Sequence, residues 1–300
     1  MKTSSSPAGI RRLLEEYRRA GRSIGLVPTM GALHAGHESL IRMARERTAC
    51  TVVSIFVNPR QFGAGEDFER YPRSLERDEA ILERLGCDLL FLPPPQALYS
   101  ASDSTSITVA GLAERLCGAS RPGHFAGVLL VVAKLLNIIR PDAAFLGQKD
   151  AQQAVLIQRM AADLDFPVRI AIGPTVREED GLALSSRNSY LGTDARGRAT
   201  GMRHGLLAAL EAVRGGERAA GPLRRLMRGR MEAAGFAVDY ADVVDGRTLE
   251  PLERLGGVVL LAAAGVIGGT RLIDNIALRL EGAAVEEMLL EFPEWSRYER

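Results

Sequence analysis

The sequence between residues 24 and 44 changes from a strand pattern to a helix pattern across a short turn that contains glycine. The apolar run Ile24–Val27 predicts a buried strand, and Pro28 should end it because proline has no N–H to donate to a ladder. Gly31 and Gly36 allow the backbone to turn tightly and to approach a ligand. From Glu38 onward, apolar residues recur at helical spacing. A buried strand that leads directly into a helix is typical of an α/β protein.

Two of the chain's four histidines, His34 and His37, lie in this turn, at or just before the start of the helix. A helix N-terminus carries unpaired N–H groups and a partial positive charge, and it therefore attracts anions. Imidazoles there add donors that can be protonated near neutral pH. We expect a phosphate site in which charge develops during a reaction. The alternative is that these histidines only cap the helix or pack against it.

Strand and helix patterns alternate along the first half of the chain. Thr51–Val57 is β-branched and apolar, as expected for a parallel strand covered on both faces, and Leu89–Leu92 predicts a further strand. Leu75–Leu85 between them predicts a helix. This alternation predicts an α/β fold with a Rossmann-like, doubly wound parallel sheet. The loops Thr29–His37 and Asn58–Gly63 both follow strands, so they should open on the same edge of the sheet, where ligands bind in such folds.

The alternation continues to about residue 175 and then changes. Helix, strand, helix and strand are predicted in turn for Val128–Ile139, Ala143–Leu146, Ala151–Leu164 and Val168–Ile172. Beyond Asn188, helices dominate to about Gly235, and the closing strands are predicted at Val238–Val244, Val258–Ala264 and Arg271–Ile276. We place a domain boundary near Thr175, which divides the chain into a Rossmann-like domain over residues 1–175 and a smaller α+β domain over residues 176–300.

The bulk composition argues against several classes of protein. A net charge of +1 gives no overall field that favours nucleic acid or an acidic membrane, and 5% aromatic residues argue against stacking of single-stranded nucleic acid. No apolar segment is long enough to span a membrane, and the first residues lack the apolar core of a signal peptide. The three cysteines lack the spacing of a metal site or a disulfide frame. We therefore expect a cytoplasmic protein that binds neither nucleic acid nor membrane.

Three further loops carry polar residues that suit a small anionic substrate. Asn58 and Gln61 follow a strand, and their amides can both donate and accept hydrogen bonds. Gly147–Asp150 offers a glycine and the point charge of a lysine, but it is not a P-loop, because the pattern Gly-x₄-Gly-Lys-Ser/Thr is absent. Ser185–Asn188 combines two hydroxyls with a guanidinium, which together can hold an anion. Each loop taken singly is more typical of an ordinary turn or a solvated surface.

The motifs taken together resemble one family. The strings PTMGALHAGH, SIFVNPRQF, RPGHFAGV, FLGQKDAQQ and REEDGLALSSRN occur in the order and spacing of the pantoate–β-alanine ligases (pantothenate synthetases), which belong to the nucleotidylyl-transferase superfamily. Arg271–Asn275 near the C-terminus is also similar to that family. The resemblance implies a ligase that joins (R)-pantoate to β-alanine with ATP and Mg²⁺. The implied reaction passes through a pantoyl-adenylate and releases pyrophosphate and AMP, and the implied assembly is a homodimer.

The resemblance also implies roles for individual residues. His37 aligns with the proton donor of the family, and the other expected catalytic residues are His34, Lys149 and Arg187. The expected nucleotide-binding residues are Pro28, Thr29, Met30, Gly31, Ala32, Leu33, His34, Ala35, Gly36, His37, Gly147, Gln148, Lys149, Asp150, Val176, Leu184, Ser185, Ser186 and Arg187. The expected substrate-binding residues are Gln61, Gln153, Asn58, Tyr71, Arg121 and His124. We expect Leu184–Arg187 to close over the phosphates, and the magnesium ligands stay unassigned.

Two alternatives stay open. A simple nucleotidyl transferase, which moves a nucleotidyl group onto a phosphorylated small molecule, would share the histidine turn but would need no amine site. A non-catalytic nucleotide-binding module could have the same fold, although it would not need to keep donors for a transition state. The sequence departs from the family pattern at Gln148, where glutamate is frequent, and at Ala151, where an aromatic residue is frequent. We expect both departures to change local packing and not the reaction.

Overall fold

The computed structural model describes residues 1–295, and its first half is built on a six-stranded parallel sheet. The strands are β1 (Lys2–Ser4), β2 (Ile24–Thr29), β3 (Cys50–Ile55), β4 (Leu89–Phe91), β5 (Ala143–Gly147) and β6 (Arg169–Gly173). Their order across the sheet is β1-β4-β3-β2-β5-β6. The residues of β2 and β3 are almost all buried, which explains why these strands are apolar without alternation.

Helices cover both faces of this sheet. They are α1 (Pro7–Arg19), α2 (Ala35–Arg47), α3 (Leu75–Arg84), α4 (Pro95–Leu98), α5 (Cys117–Ser120), α6 (His124–Ile139) and α7 (Ala151–Asp163). One face packs against α1, α6 and α7, and the other packs against α2 and α3. The hydroxyl of Ser6 caps α1 by accepting the N–H of Gly9 at 3.1 Å. The predicted α/β fold with a doubly wound parallel sheet is confirmed.

The chain changes direction across the sheet between β2 and β5. It adds β3 and β4 on one side of β2, and it later adds β5 and β6 on the other side. Such a switch point leaves a crevice at the carboxyl ends of the two central strands, and ligands of open α/β sheets bind there. The turn after β2 holds His34, and the turn after β5 holds Lys149. The topology therefore brings two motifs that are distant in sequence to one edge of the sheet.

Two details of the sheet differ from the sequence prediction. β2 does not end at Pro28 but continues to Thr29, whose carbonyl accepts a hydrogen bond from the N–H of Phe56 on the β3 side. Because backbone groups point to alternate sides along a strand, Pro28 faces β5. The β2–β5 pairing ends at Leu26, so the proline interrupts no ladder bond. The sequence also does not predict β1, which is short and polar and becomes a strand only by pairing with β4.

The second half holds a four-stranded antiparallel sheet in the order β10-β9-β8-β7. Its elements are α8 (Thr193–Arg198), α9 (Gly201–Arg214), α10 (Ala220–Ala233), β7 (Ala237–Asp245), β8 (Gly257–Ile267), β9 (Thr270–Glu281) and β10 (Ala284–Glu287). Leu261 of β8 lies in the core formed with α9 and α10, whereas its neighbour Leu260 lies in the core formed with α7. The predicted α+β character is confirmed, and the boundary near Thr175 stays a prediction.

Within residues 1–295, no helix combines the length and the apolar character that crossing a membrane requires.

Candidate active site

A cavity of about 490 Å³ opens at the carboxyl ends of β2 and β5. Most of the predicted site residues line it, and these are Pro28, Thr29, Met30, His34, Gly36, His37, Gln61, Tyr71, Arg121, His124, Gly147, Lys149, Asp150, Gln153, Val176, Leu184, Ser185, Ser186 and Arg187. The predicted residues that lie outside the lining are Gly31, Ala32, Leu33, Ala35, Asn58 and Gln148. The loops after β2, β3 and β5 therefore meet at one place, as the strand pattern predicts.

His34 and His37 are held by the start of α2. His34 is the N-cap residue, and its Nδ1 accepts the N–H of Gly36 at 3.2 Å. The Nδ1 of His37 accepts the N–H of His34 at 3.4 Å, and the two ring centroids are 4.1 Å apart. A nitrogen that accepts a hydrogen bond carries no proton, so each neutral ring carries its proton on Nε2. The pair therefore keeps two Nε2–H donors that the capping contacts leave unused.

The electrostatics of the cavity keep both rings neutral. Burial and the nearby charge of Lys149 lower the pKa of His34 to about 4. Burial, His34 and Lys149 lower the pKa of His37 to about 3. The expectation that these imidazoles are protonated near neutral pH is therefore wrong, because their surroundings disfavour the charged form. They are suited to donate hydrogen bonds to an anion without carrying a full charge.

Stability should fall in acid because of these histidines. Their pKa values in the folded protein lie below the value of about 6.5 in an unfolded chain, so the unfolded state binds more protons. The stabilisation is complete above about pH 6.5 and is lost as the pH falls toward the folded values. We expect denaturant titrations between about pH 7.5 and pH 5 to show this loss, and His37→Asn to reduce it. His204→Asn, at an exposed position on α9, is the control; an equal pH dependence in parent and His37→Asn would contradict the assignment.

Asp78 of α3 fixes the histidine turn, and the sequence does not reveal this role. Its carboxylate oxygens accept the N–H groups of Ala32 at 2.9 Å and of Leu33 at 2.8 Å. Asp78 is 1% exposed. The N–H of Gly31 is also occupied, because it donates to the hydroxyl of Thr29 at 3.2 Å. All three N–H groups are thus occupied by bonds within the protein, and these bonds hold the turn in place. The turn faces the cavity with the side chains of its two histidines.

Asn58 holds the side chain of Gln61 by a hydrogen bond. It is 1% exposed, and its amide nitrogen donates to the Oε1 of Gln61 at 3.1 Å and to the carbonyl of Gly127 at 3.0 Å. The hydroxyl of Tyr99 donates to the Oδ1 of Asn58 at 2.9 Å. A Cβ at Gly127 would lie 2.1 Å from the carbonyl oxygen of Arg60, so only glycine lets α6 approach this turn. Asn58 thus orients Gln61, and Gln61 itself reaches the cavity.

The loop after β5 is held by β9. The amide nitrogen of Asn275 donates to the carbonyls of Gln148 and Lys149, each at 3.0 Å. The side chain of Gln148 is buried; its Nε2 donates to Asn275 at 3.2 Å and its Oε1 accepts the N–H of Leu290 at 3.0 Å. Gln148 therefore joins the two halves of the chain. Lys149 lines the cavity, and its Nζ is 3.7 Å from the Oδ1 of Asp150.

Two arginines of the cavity are paired with consecutive carboxylates. Arg121 donates to Glu66, with 2.7 Å between Nε and Oε1. Arg187 donates to Asp67 through Nε at 2.8 Å and Nη2 at 2.9 Å. Sequence reasoning identified both arginines as site residues but gave no sign of their acidic partners.

His124 joins one of these arginines to Gln61. Its Nδ1 donates to the carbonyl of Gln61 at 2.7 Å, and its Nε2 accepts a hydrogen bond from Arg121 at 3.0 Å. Burial and the charge of Arg121 lower the pKa of His124 to about 4, so this ring is also neutral. The network fixes the wall of the cavity beside Gln61.

Comparisons with known proteins identify the family of the chain. A family model described as Pantoate-beta-alanine ligase matches residues 2–277. The chain is 50% identical to the pantothenate synthetase of Moorella thermoacetica over 274 residues. The matched region covers 91% of this chain and 97% of the relative.

Solved structures give the same result. The structure is similar to pantothenate synthetase from Thermus thermophilus, with a TM-score of 0.87, 43% identity, and coverage of 92% of this chain and 98% of the other. It is also similar to pantoate-beta-alanine ligase from Francisella tularensis complexed with beta-gamma ATP and beta-alanine, with a TM-score of 0.76, 33% identity, and coverage of 92% and 97%. The chain therefore belongs to the pantoate-beta-alanine ligase family.

Proposed function

We propose that this chain condenses (R)-pantoate with β-alanine to (R)-pantothenate, using ATP and passing through a pantoyl-adenylate. The observation that carries the proposal is the meeting of His34, His37 and Lys149 with Gln61 and Gln153 in one cavity. The first three groups suit a phosphate on which charge grows, and the two amides suit a polar substrate beside it. A relative of the same family was solved with beta-gamma ATP and beta-alanine, which agrees with these substrates.

In the first step, a carboxylate oxygen of pantoate attacks the α-phosphorus of ATP, and the bond to pyrophosphate breaks. The product is a mixed anhydride with AMP as a good leaving group. Negative charge grows on the phosphate oxygens during this step. The Nε2–H groups of His34 and His37 and the Nζ of Lys149 are suited to stabilise that charge, because they are fixed before the reaction in a sheltered cavity.

In the second step, the amine of β-alanine, after losing its ammonium proton, attacks the acyl carbon. The new C–N bond replaces the bond to AMP, and the nitrogen loses a second proton as the amide forms. Gln61 and Gln153 line the cavity, and we assign both to contact with pantoate and Gln61 also to contact with β-alanine. We assign Tyr71, Arg121 and His124 to the surrounding wall, with Asn58 acting through Gln61.

We propose that ATP lies along the histidine turn and the loop after β5, with Val176 beside the nucleotide and Leu184–Arg187 over the phosphates. Within residues 1–295, no cluster of three or more histidine, cysteine, aspartate or glutamate side chains could hold a metal ion. Mg²⁺ usually binds through one or two carboxylates and the substrate phosphates, and Asp150 at the cavity wall fits this mode. When bound, Mg²⁺ supplies positive charge to the triphosphate.

Gln61→Ala should raise the KM for pantoate more than the KM for ATP. The alanine removes an amide that lines the cavity, together with its contact to the Met30 sulfur, whereas His34, His37 and Lys149 keep their contacts. Steady-state titrations of each substrate, with the other saturating, measure this difference. Equal effects on the two KM values would count against direct contact between Gln61 and pantoate.

The test of the function follows pyrophosphate and AMP separately, with ATP and pantoate in the presence and absence of β-alanine. Pyrophosphate release with pantoate alone, followed by AMP release only with β-alanine, is expected. A simple nucleotidyl transferase, the alternative considered above, would show no AMP release that depends on the amine. A non-catalytic binding module would bind ATP and release neither product.

We further propose that residues 1–175 bind nucleotide and pantoate and that residues 176–300 act as a lid. The parallel sheet ends at Gly173, and a second apolar core begins at Leu182, which supports this division. A homodimer is proposed on the basis of the family alone, and a cytoplasmic location on the basis of the composition and the three free cysteines. Sedimentation of the purified protein measures its oligomeric state.

A further inference from the structure

A segment of residues 63–74, here called the strap, borders the cavity between the turn at Gln61 and the start of α3. It meets the loop that carries Arg187 through three hydrogen-bonded contacts, and the Arg187 guanidinium also lies over the Tyr71 ring, 5.7 Å from its centroid. Asp67 accepts hydrogen bonds from Arg187, the Tyr71 hydroxyl lies 3.0 Å from the Ser186 Oγ, and the Tyr190 hydroxyl donates to the carbonyl of Arg70 at 3.0 Å. The residue assigned to close over the phosphates is therefore already engaged by the protein.

The contact between Asp67 and Arg187 has the geometry with which arginine binds a phosphate. Two parallel N–H donors of one guanidinium, Nε and Nη2, reach the two oxygens of the carboxylate at 2.8 and 2.9 Å. Phosphate oxygens take the same paired arrangement on a guanidinium. Because the same two N–H donors cannot hold both anions in this paired arrangement, a phosphate that binds this edge of the guanidinium must displace Asp67.

The ion pair between Asp67 and Arg187 is partly shielded from water, so its electrostatic attraction is only weakly screened. The side chains of Asp67 and Arg187 are 14% and 28% exposed, so water screens them less than an ordinary surface pair. Burial by itself raises the pKa of the Asp67 carboxyl, but the hydrogen bonds and charge of Arg187 outweigh it and hold that pKa below its usual value. Asp67 is therefore an anion at neutral pH, and it neutralises a guanidinium that would otherwise be left unpaired at the cavity wall.

We propose that Asp67 occupies the position of a nucleotide phosphate on Arg187 in the substrate-free protein, and that this competition sets the affinity for ATP. Binding of the triphosphate exchanges one anion for another on the same donors, and the strap moves away with Asp67. The proposal rests on the ATP site of the proposed function. It makes Asp67 an affinity-determining residue, although it is not one of the motif residues.

The test compares the equilibrium binding of ATP, with MgCl₂ present, by the parent chain, Asp67→Asn and Glu69→Gln. Asparagine keeps the shape of the aspartate but removes the competing charge, so the dissociation constant for ATP should fall by about tenfold. Glu69→Gln removes one charge from the exposed part of the same strap, and it should leave the dissociation constant unchanged. In an Arg187→Gln background, Asp67→Asn should no longer tighten binding, because the two effects are coupled.

An unchanged or weaker affinity in Asp67→Asn would overturn the proposal, since it would mean that Asp67 does not compete with the nucleotide. Asp67→Ser serves as a second variant without the charge if the asparagine variant does not fold. Pyrophosphate release with pantoate, measured on the same samples, separates the two hypotheses. Tighter ATP binding without this release would support the role of Asp67 and reject the proposed function. Pyrophosphate release together with unaltered ATP binding in Asp67→Asn would support the proposed function and reject the role of Asp67.

Discussion

Replacing His37 with alanine should lower the rate of adenylate formation by a factor on the order of 10²–10³, while the protein still folds and binds ATP. The expected loss comes from one Nε2–H donor of the cavity, next to which we propose that the reacting phosphate binds. A group of this kind acts mainly on the transition state, because charge on the phosphate oxygens is largest there. Folding should survive, since the contact that His37 makes with the His34 N–H is long, at 3.4 Å.

The measurement is a single-turnover assay of pyrophosphate release with ATP and pantoate, in the absence of β-alanine. His204→Ala, at an exposed position on α9, is the matched control and should keep the parent rate. Supplying synthetic pantoyl-adenylate and β-alanine should bypass much of the defect, because the adenylate is then already formed. Adenylate formation at the parent rate in His37→Ala would remove His37 from the proposed mechanism.

Lys149→Met should cause a loss of similar size, on the order of 10²–10³ in the same step. The backbone of Lys149 is fixed by the amide of Asn275, and its side chain is 20% exposed at the cavity wall. A positive charge held in a partly dry cavity stabilises a growing negative charge more than it would in water. Methionine keeps most of the length and apolar character of lysine, so the change tests the charge itself.

The prediction for Lys149 concerns kcat more than the KM for ATP, because the charge on the phosphates rises in the transition state. Lys2→Met, which removes an exposed lysine at the N-terminus, is the control for loss of one positive charge. Lys149→Arg should restore only part of the rate, since a planar guanidinium places its donors differently. A rise in the KM for ATP at unchanged kcat would show that Lys149 only holds the nucleotide.

The sequence predicted correctly the features that depend on residues close together in the chain. The strand that begins at Ile24, the helix over Leu75–Leu85 and the parallel sheet all follow from local patterns of apolar residues. The predicted helix after the turn is also present, but it begins at Ala35 and not at Glu38, so that His34 caps it and His37 lies in its first turn. The predicted ends of strands were less accurate. Pro28 remains in β2 because the pairing of β2 with β5 already ends at Leu26, and the sequence does not show where that pairing ends.

Contacts between distant residues decided the rest. Asp78 holds the N–H of Ala32 from 46 positions away, and Asn275 holds the carbonyl of Lys149 from 126 positions away. Asp67 reaches Arg187 across 120 positions. No local pattern marks such partners, since each contact exists only when the loops meet at the edge of the sheet.

The sequence by itself determined most of the element types, the change of pattern between the two halves, and the motif residues of the site. The antiparallel direction of the second sheet came from the structure. Only the tertiary structure decided the protonation states of those residues and the hydrogen bonds that orient them. Burial and the charge of Lys149 disfavour the protonated forms of His34 and His37, and the N–H groups of the turn select the Nε2–H tautomer. Proton state and orientation depend on the groups that surround a side chain in space, and most of those groups come from other parts of the chain.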